Sequence, residues 1–230
     1  MTPRIAEVTA GTIRGTLGGE APGPARPADW TGFVAIDLAK QTNRCFTDDT
    51  AGDQKGGWTD EGQNDMRYLP LGDWVINGVP FHILDPTENR GTSCIVLKGG
   101  VDPNLPFPDK VSIPVNQRLS KIHFIHTAGW GSKNTAAFRY ILHYRDGLTE
   151  EVPVVCSKNV DNWWSRKDPP GATMAWSGPG GMAPQVRVWH MTHTTNHPKG
   201  AQARLDRIEV VSEKQKPVPV VISITGSLAN

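Results

Sequence analysis

The stretch AAFRYILHYRDGLTEEVPVV, residues 136–155, narrows the fold more than any other part of the chain. Apolar and polar side chains alternate on both sides of Asp146-Gly147. A period of two is the mark of a strand with one face against a core. Asp-Gly is favoured in the tight type I′ turns whose twist matches that of paired strands. A β-hairpin is therefore expected here, and a hairpin needs further strands to be stable.

The remaining apolar runs are of the same kind. FVAIDL (Phe33 to Leu38), VPFHIL (Val79 to Leu84), CIVLK (Cys94 to Lys98) and KVSIPV (Lys110 to Val115) are short and rich in β-branched residues. KIHFIHT (Lys121 to Thr127) alternates, with Ile122, Phe124 and His126 on one side and His123, Ile125 and Thr127 on the other. QVRVWHMTH (Gln185 to His193), ARLDRIEVVS and PVPVVISITG follow. Gly, Pro and Asn close nearly every run, as strand boundaries require. The 24 glycines and 19 prolines leave few stretches fit for a helix. The expected fold class is all-β, a β-sandwich or jelly roll of about nine or ten strands. No internal repeat or composition shift divides the 230 residues. The Pro/Ala-rich EAPGPARPAD sets off residues 1–29 as an extended N-terminal arm, with one sandwich domain over 30–230.

Charge and hydropathy exclude several classes. A net charge of +1 without a Lys/Arg cluster gives no field for nucleic acid. No apolar run approaches the ~18 residues of a membrane span. MTPRIAEVTAGTIRG has no continuous apolar core and does not read as a signal peptide. The expectation is a cytoplasmic chain, or an extracellular or envelope module cut from a larger secreted protein. Cys45, Cys94 and Cys156 are three and widely spaced. They follow no zinc or disulfide pattern and are expected as free thiols.

Three segments carry candidate chemistry. CFTDDTAGDQKGGWTDEGQNDMR (Cys45 to Arg67) holds six carboxylates, four glycines and one tryptophan without any periodicity. Calcium takes six to eight oxygen ligands. Asp48, Asp53, Asp60, Asn64 and Asp65 are the candidate ligands for a structural ion, with Asp49 beside them. The competing reading is an ordered loop of Asx turns around a buried Trp58. The second segment is DNWWSRKD (Asp161 to Asp168). Flat aromatic rings stack on the C–H face of a sugar, and amide, carboxylate and guanidinium groups bond its hydroxyls. Trp163 and Trp164 are adjacent, so an extended backbone turns one inward and the other to solvent. Asn162 and Arg166, with Trp130 at the edge, complete the candidate contact surface. The third is HMTHTTNH (His190 to His197), whose spacing puts His190 and His193 on opposite faces of one strand. It reads as hydrogen-bonded imidazoles. No Gly-x-Ser-x-Gly elbow, P-loop or His-Glu-x-x-His occurs.

The order of motifs adds a resemblance. IDLAKQTNRCFTDDTAGDQKGGWTDEGQNDMRYLPLGDWVINGVPFHIL precedes CIVLKGG, IHFIHTAGW, the YRDG hairpin, NVDNWW and a terminal RLDRIEVVS…VVISITG. Together they resemble a galactose-binding-like jelly-roll module associated with bacterial glycoside hydrolases, across residues 29–226. The resemblance implies a non-catalytic carbohydrate-binding or accessory module, with a poly- or oligosaccharide and a glycoside hydrolase domain as partners. It requires no cofactor, and such sandwiches often hold a structural calcium. A jelly-roll hydrolase or lyase, and a protein-interaction sandwich without sugar, are the competing functions, because fold alone does not choose among them.

Overall fold

A computed structural model describes residues 28–100 and 105–229. All but the last two residues of the expected arm, 1–29, lie outside the described residues. Strands account for 47% of the structure and helix for 2%, so the chain is all-β. The one helical element among the described residues is a 3-10 turn at Gly200–Gln202.

Among the described residues, eleven strands form: β1 (Phe33–Ala35), β2 (Gly72–Ile76), β3 (Val79–Ile83), β4 (Ile95–Val96), β5 (Lys110–Gly129), β6 (Ala136–Tyr144), β7 (Thr149–Val155), β8 (Thr173–Gly178), β9 (Val186–Thr194), β10 (Arg204–Ser212) and β11 (Val218–Leu228). All strand pairings are antiparallel. The organising element is β5. The two runs read as separate strands, Lys110 to Val115 and Lys121 to Thr127, are one strand of 20 residues. Its first half pairs with β10, which continues through β6 to β7. Its second half pairs with β11 on one side and β9 on the other. β1 and β4 line the far edge of β11, and β8 the far edge of β9.

The handover splits the sheet into two leaves that face each other, as in an all-β sandwich. Ile113, Phe138, Tyr140 and Ile208 from the first leaf meet Ile122, Phe124, Trp189 and Ile224 from the second. Phe124 and Tyr140 stack across the join with ring centres 4.0 Å apart. Burial of such side chains is worth about 1.5–3 kcal/mol each.

The second leaf is covered on its other face too, which a half-buried strand pattern does not anticipate. Ile125, Val188, Val220 and Ile222 pack there beneath Trp58, Met66, Phe81 and Ile83. The cover is the acidic segment together with the β2–β3 hairpin. Ser223 and Thr225 donate to the carbonyls of His82 and Pro80, at 2.8 and 2.7 Å, and so pin the free edge of β3 to β11.

Turn chemistry differs from expectation at one hairpin. Gly147 has φ +90°, while Asp146 stays out of the left-handed region. The link is thus a type I turn closed by a glycine bulge, not type I′, which needs positive φ at both central residues. Asn77 and Gly78, at φ +52° and +78°, do meet that requirement and join β2 to β3.

Candidate functional site

The acidic segment holds its shape through its own carboxylates. Asp65 is fully buried. It accepts from the Asp48 amide at 2.9 Å, from Gly181 N at 3.3 Å and from the Arg67 guanidinium at 2.8 Å. Arg67 also reaches Asp49 at 3.0 Å. Asp48 accepts from the amides of Thr50 and Gly62, at 3.1 and 3.2 Å. Its carboxyl pKa is raised, chiefly by burial. Asp53 and Asp60 accept from the amides of Lys55 and Gln54, each at 2.9 Å. Asn64 donates to Glu61. The five residues expected around an ion are thus turned toward backbone N–H groups, Arg67 and Glu61. Among the described residues, no group of three or more His, Cys, Asp or Glu is placed to hold a metal.

This loop seats an aromatic series. Trp58 is fully buried, and the edge of its indole meets Trp163 with ring centres 4.8 Å apart and planes at 77°. Trp163, 3% exposed, stacks on Trp164, which is 53% exposed. The expected division of burial is present, with one ring anchored and its neighbour in solvent, but the backbone at 163–164 is a turn rather than extended, and the two rings stack instead of pointing to opposite sides. Asn162 opens the turn that carries both rings. Its side-chain oxygen accepts the Trp164 amide at 3.0 Å, while Trp163 N bonds Ala128 O at 2.9 Å.

Trp164 and Arg166 line a cleft of about 600 Å³. Met182, Ala183 and Pro184 form an apolar wall of the same cleft. Glu61, Asn64 and Gln185 supply its remaining polar groups. Asn162 and Trp130, both expected at the surface of contact, do not line it. Asn162 is spent on the turn, and Trp130 packs against the edge of Trp58 with ring centres 6.2 Å apart.

Sequence reasoning missed the wall and three of the polar groups, because they come from distant segments. The 179–184 loop lies directly on the acidic loop. Met182 N bonds Gln63 O at 2.8 Å. A Cβ on Gly180 would sit 2.5 Å from Asp65 O, and one on Gly181 would collide with Gln63 O. Glycine is the residue that permits such close approach. The Gly-Pro-Gly-Gly run, residues 178–181, was the local signal for it.

His123 and His190 form a separate, closed network, while His193 and His197 pair with Glu150 and Asp146. His123 bonds Thr192 at 3.0 Å and Ser227 at 2.9 Å, and His190 meets His123 at 3.3 Å. Asn77, from the β2–β3 turn, reaches His190 at 3.3 Å. His126 bonds Asn159 O at 2.9 Å, deep between the leaves. Burial pushes the imidazoles of His123, His126 and His190 down to about 4.

Compared with known protein families, curated proteins and solved structures, the chain matches none of them.

Proposed function

We propose that this chain is a non-catalytic carbohydrate-binding module, a galactose-binding-like jelly-roll sandwich that serves a polysaccharide-degrading enzyme. The observation that carries the reading is Trp164. Its indole is 53% exposed, backed by a buried indole and set in a cleft with amide, carboxylate and guanidinium groups at hand. That is the chemistry of a sugar platform: one flat apolar face, with short polar groups at its border.

The same cleft argues against catalysis. Glycoside hydrolysis uses two carboxyl groups about 5–10 Å apart. Among the described residues, Glu61 is the one carboxylate lining this cleft, and no Tyr, His or Lys lines it to serve as a base. The ligand is a poly- or oligosaccharide, and the natural partner is a glycoside hydrolase domain. A glycan array run beside a reducing-sugar assay on the same panel tests this. Binding without product supports the module. Product formation would make it an enzyme, and a blank array would remove the sugar altogether.

A further inference from the structure

Arg166 is exposed, and among the described residues it makes neither an ion pair nor a side-chain hydrogen bond, unlike the paired arginines that hold the fold. Arg67, Arg139, Arg187 and Arg207 each have a carboxylate within ion-pair distance. Arg166 has none among the described residues, and its near neighbour Asp168 is turned to Arg187 at 3.9 Å. Glu61 lines the same cleft but does not pair with it. Glu61 already accepts a hydrogen bond from Asn64. The cleft therefore offers a guanidinium that no carboxylate among the described residues meets, two residues from the stacking ring, beside a Glu61 carboxylate that is engaged by Asn64.

Resting on the carbohydrate reading above, we infer that the ligand is an acidic glycan, with a hexuronate ring on Trp164 and its carboxylate on Arg166. A guanidinium is planar and offers parallel N–H donors that match a carboxylate two-for-two. A hexuronate pyranose presents both required features at once, an apolar C–H face and a carboxylate at the ring margin. Apart from Glu61, the rest of the lining fits this polarity. Met182, Ala183 and Pro184 bring no competing charge, and Gln185 offers an amide to ring hydroxyls. Sulfated sugars also carry an anion, but a tetrahedral one on an ester arm, which a single planar fork matches less well.

The experiment is calorimetry with tetra-galacturonate and tetra-mannuronate. Each is paired with its carboxyl-reduced, neutral counterpart, and a sulfated galactan oligomer is run alongside. At least one uronate oligomer is expected to bind tenfold or more tightly than its reduced form, with affinity falling several-fold as salt is raised tenfold. Arg166→Gln should erase that preference. Arg166→Lys should restore only part of it, because an ammonium lacks the fork. Trp164→Ala should lose the acidic oligomer as well. Reduced oligomers binding as tightly as acidic ones, or a preference that survives Arg166→Gln, would overturn the inference while leaving a neutral-glycan module standing. Binding of the sulfated oligomer alone would overturn the carboxylate assignment. A wild type that binds no glycan would overturn both this inference and the reading beneath it.

Discussion

Trp163 and Trp164 are neighbours in sequence, stack with ring centres 5.5 Å apart and planes 26° from parallel, and yet are 3% and 53% exposed. The inner ring makes the outer one rigid. A platform that is already ordered loses little side-chain entropy when a sugar arrives, which matters for a weak ligand.

Substituting each ring in turn should separate the two roles. Trp164→Ala removes the platform and should abolish glycan binding, with stability changed by less than about 1 kcal/mol. Trp163→Ala opens a hole beside Trp58 and should cost about 3–5 kcal/mol. Calorimetry and thermal unfolding on both variants check this. Binding itself should show a Kd on the order of 10 µM to 1 mM, or about −4 to −7 kcal/mol. Two folded variants that both bind like wild type would place the site elsewhere.

Arg67→Ala should be among the most damaging changes in the acidic segment. It leaves the fully buried Asp65 carboxylate without its cation. Loss of one partner from a buried pair costs about 3–5 kcal/mol. Because Arg67 meets that charge from within the chain, EDTA is expected to leave the melting temperature unchanged. A drop that calcium reverses would instead put an ion in the loop, since a ligand specific to the folded state stabilises it by mass action.

Gly181→Ala should weaken binding without touching any group that lines the cleft. Its Cβ would strike Gln63 O and crowd Arg67, so the 179–184 loop must lift and carry Met182 with it. The expected readout is a reduced glycan affinity together with a lowered melting temperature, because the lift also strains the contacts to Gln63 and Asp65. An affinity equal to wild type would show that Met182 adds nothing.

Stability should fall as the solution is acidified from neutrality. His123, His126 and His190 titrate at about 4 in the folded chain, because burial disfavours the imidazolium. In the unfolded chain they titrate near 6.5. Between those values the unfolded state binds more protons, so the contribution is full above about 6.5 and is lost as pH falls through about 4. Each histidine adds a slope of up to about 1.4 kcal/mol per pH unit in that window. Urea midpoints measured from pH 7.5 to 4.5 report it, and a flat profile would contradict the burial of these rings.

Cys45 alone should react quickly with a thiol reagent in the native protein, and all three cysteines once it is unfolded. No disulfide forms among the described residues. Cys94 and Cys156 are buried, whereas Cys45 is half-buried. Burial raises the Cys94 thiol pKa and pushes that of Cys156 up to about 12, so neither offers much thiolate. A melting temperature that drops on reduction would argue for a bridge instead.

What the chain revealed before folding follows from the range of the signals. β6, β7, β9 and β10 were legible because alternation is local and strong, and β11 because its apolar run is rich in Val and Ile. β2 and β8 were not, although Asn77-Gly78 is a hairpin dipeptide as good as Asp146-Gly147. GDWVI and TMAWSG were hidden by the Gly- and Pro-rich segments around them. Trp164 and Arg166 were legible as a pair because aromatic and guanidinium groups lie close in sequence. Glu61, Asn64, Met182 and Gln185 were not, since only the docking of two glycine-containing loops brings them together. Trp130 was over-read: an aromatic beside a strand end is as readily a packing element, and here it packs on Trp58.

The pairing of β1 with β11 sets Phe33 opposite Ser227 and Ala35 opposite Thr225. The chain thus enters and leaves the folded unit along neighbouring strands. Two ends that lie side by side can be joined or moved with little strain on what is packed between them. That makes the domain a good subject for circular permutation. A short linker across that gap, with new ends opened at the exposed Asp146-Gly147 turn, would reorder the sequence and leave Trp164 where it stands.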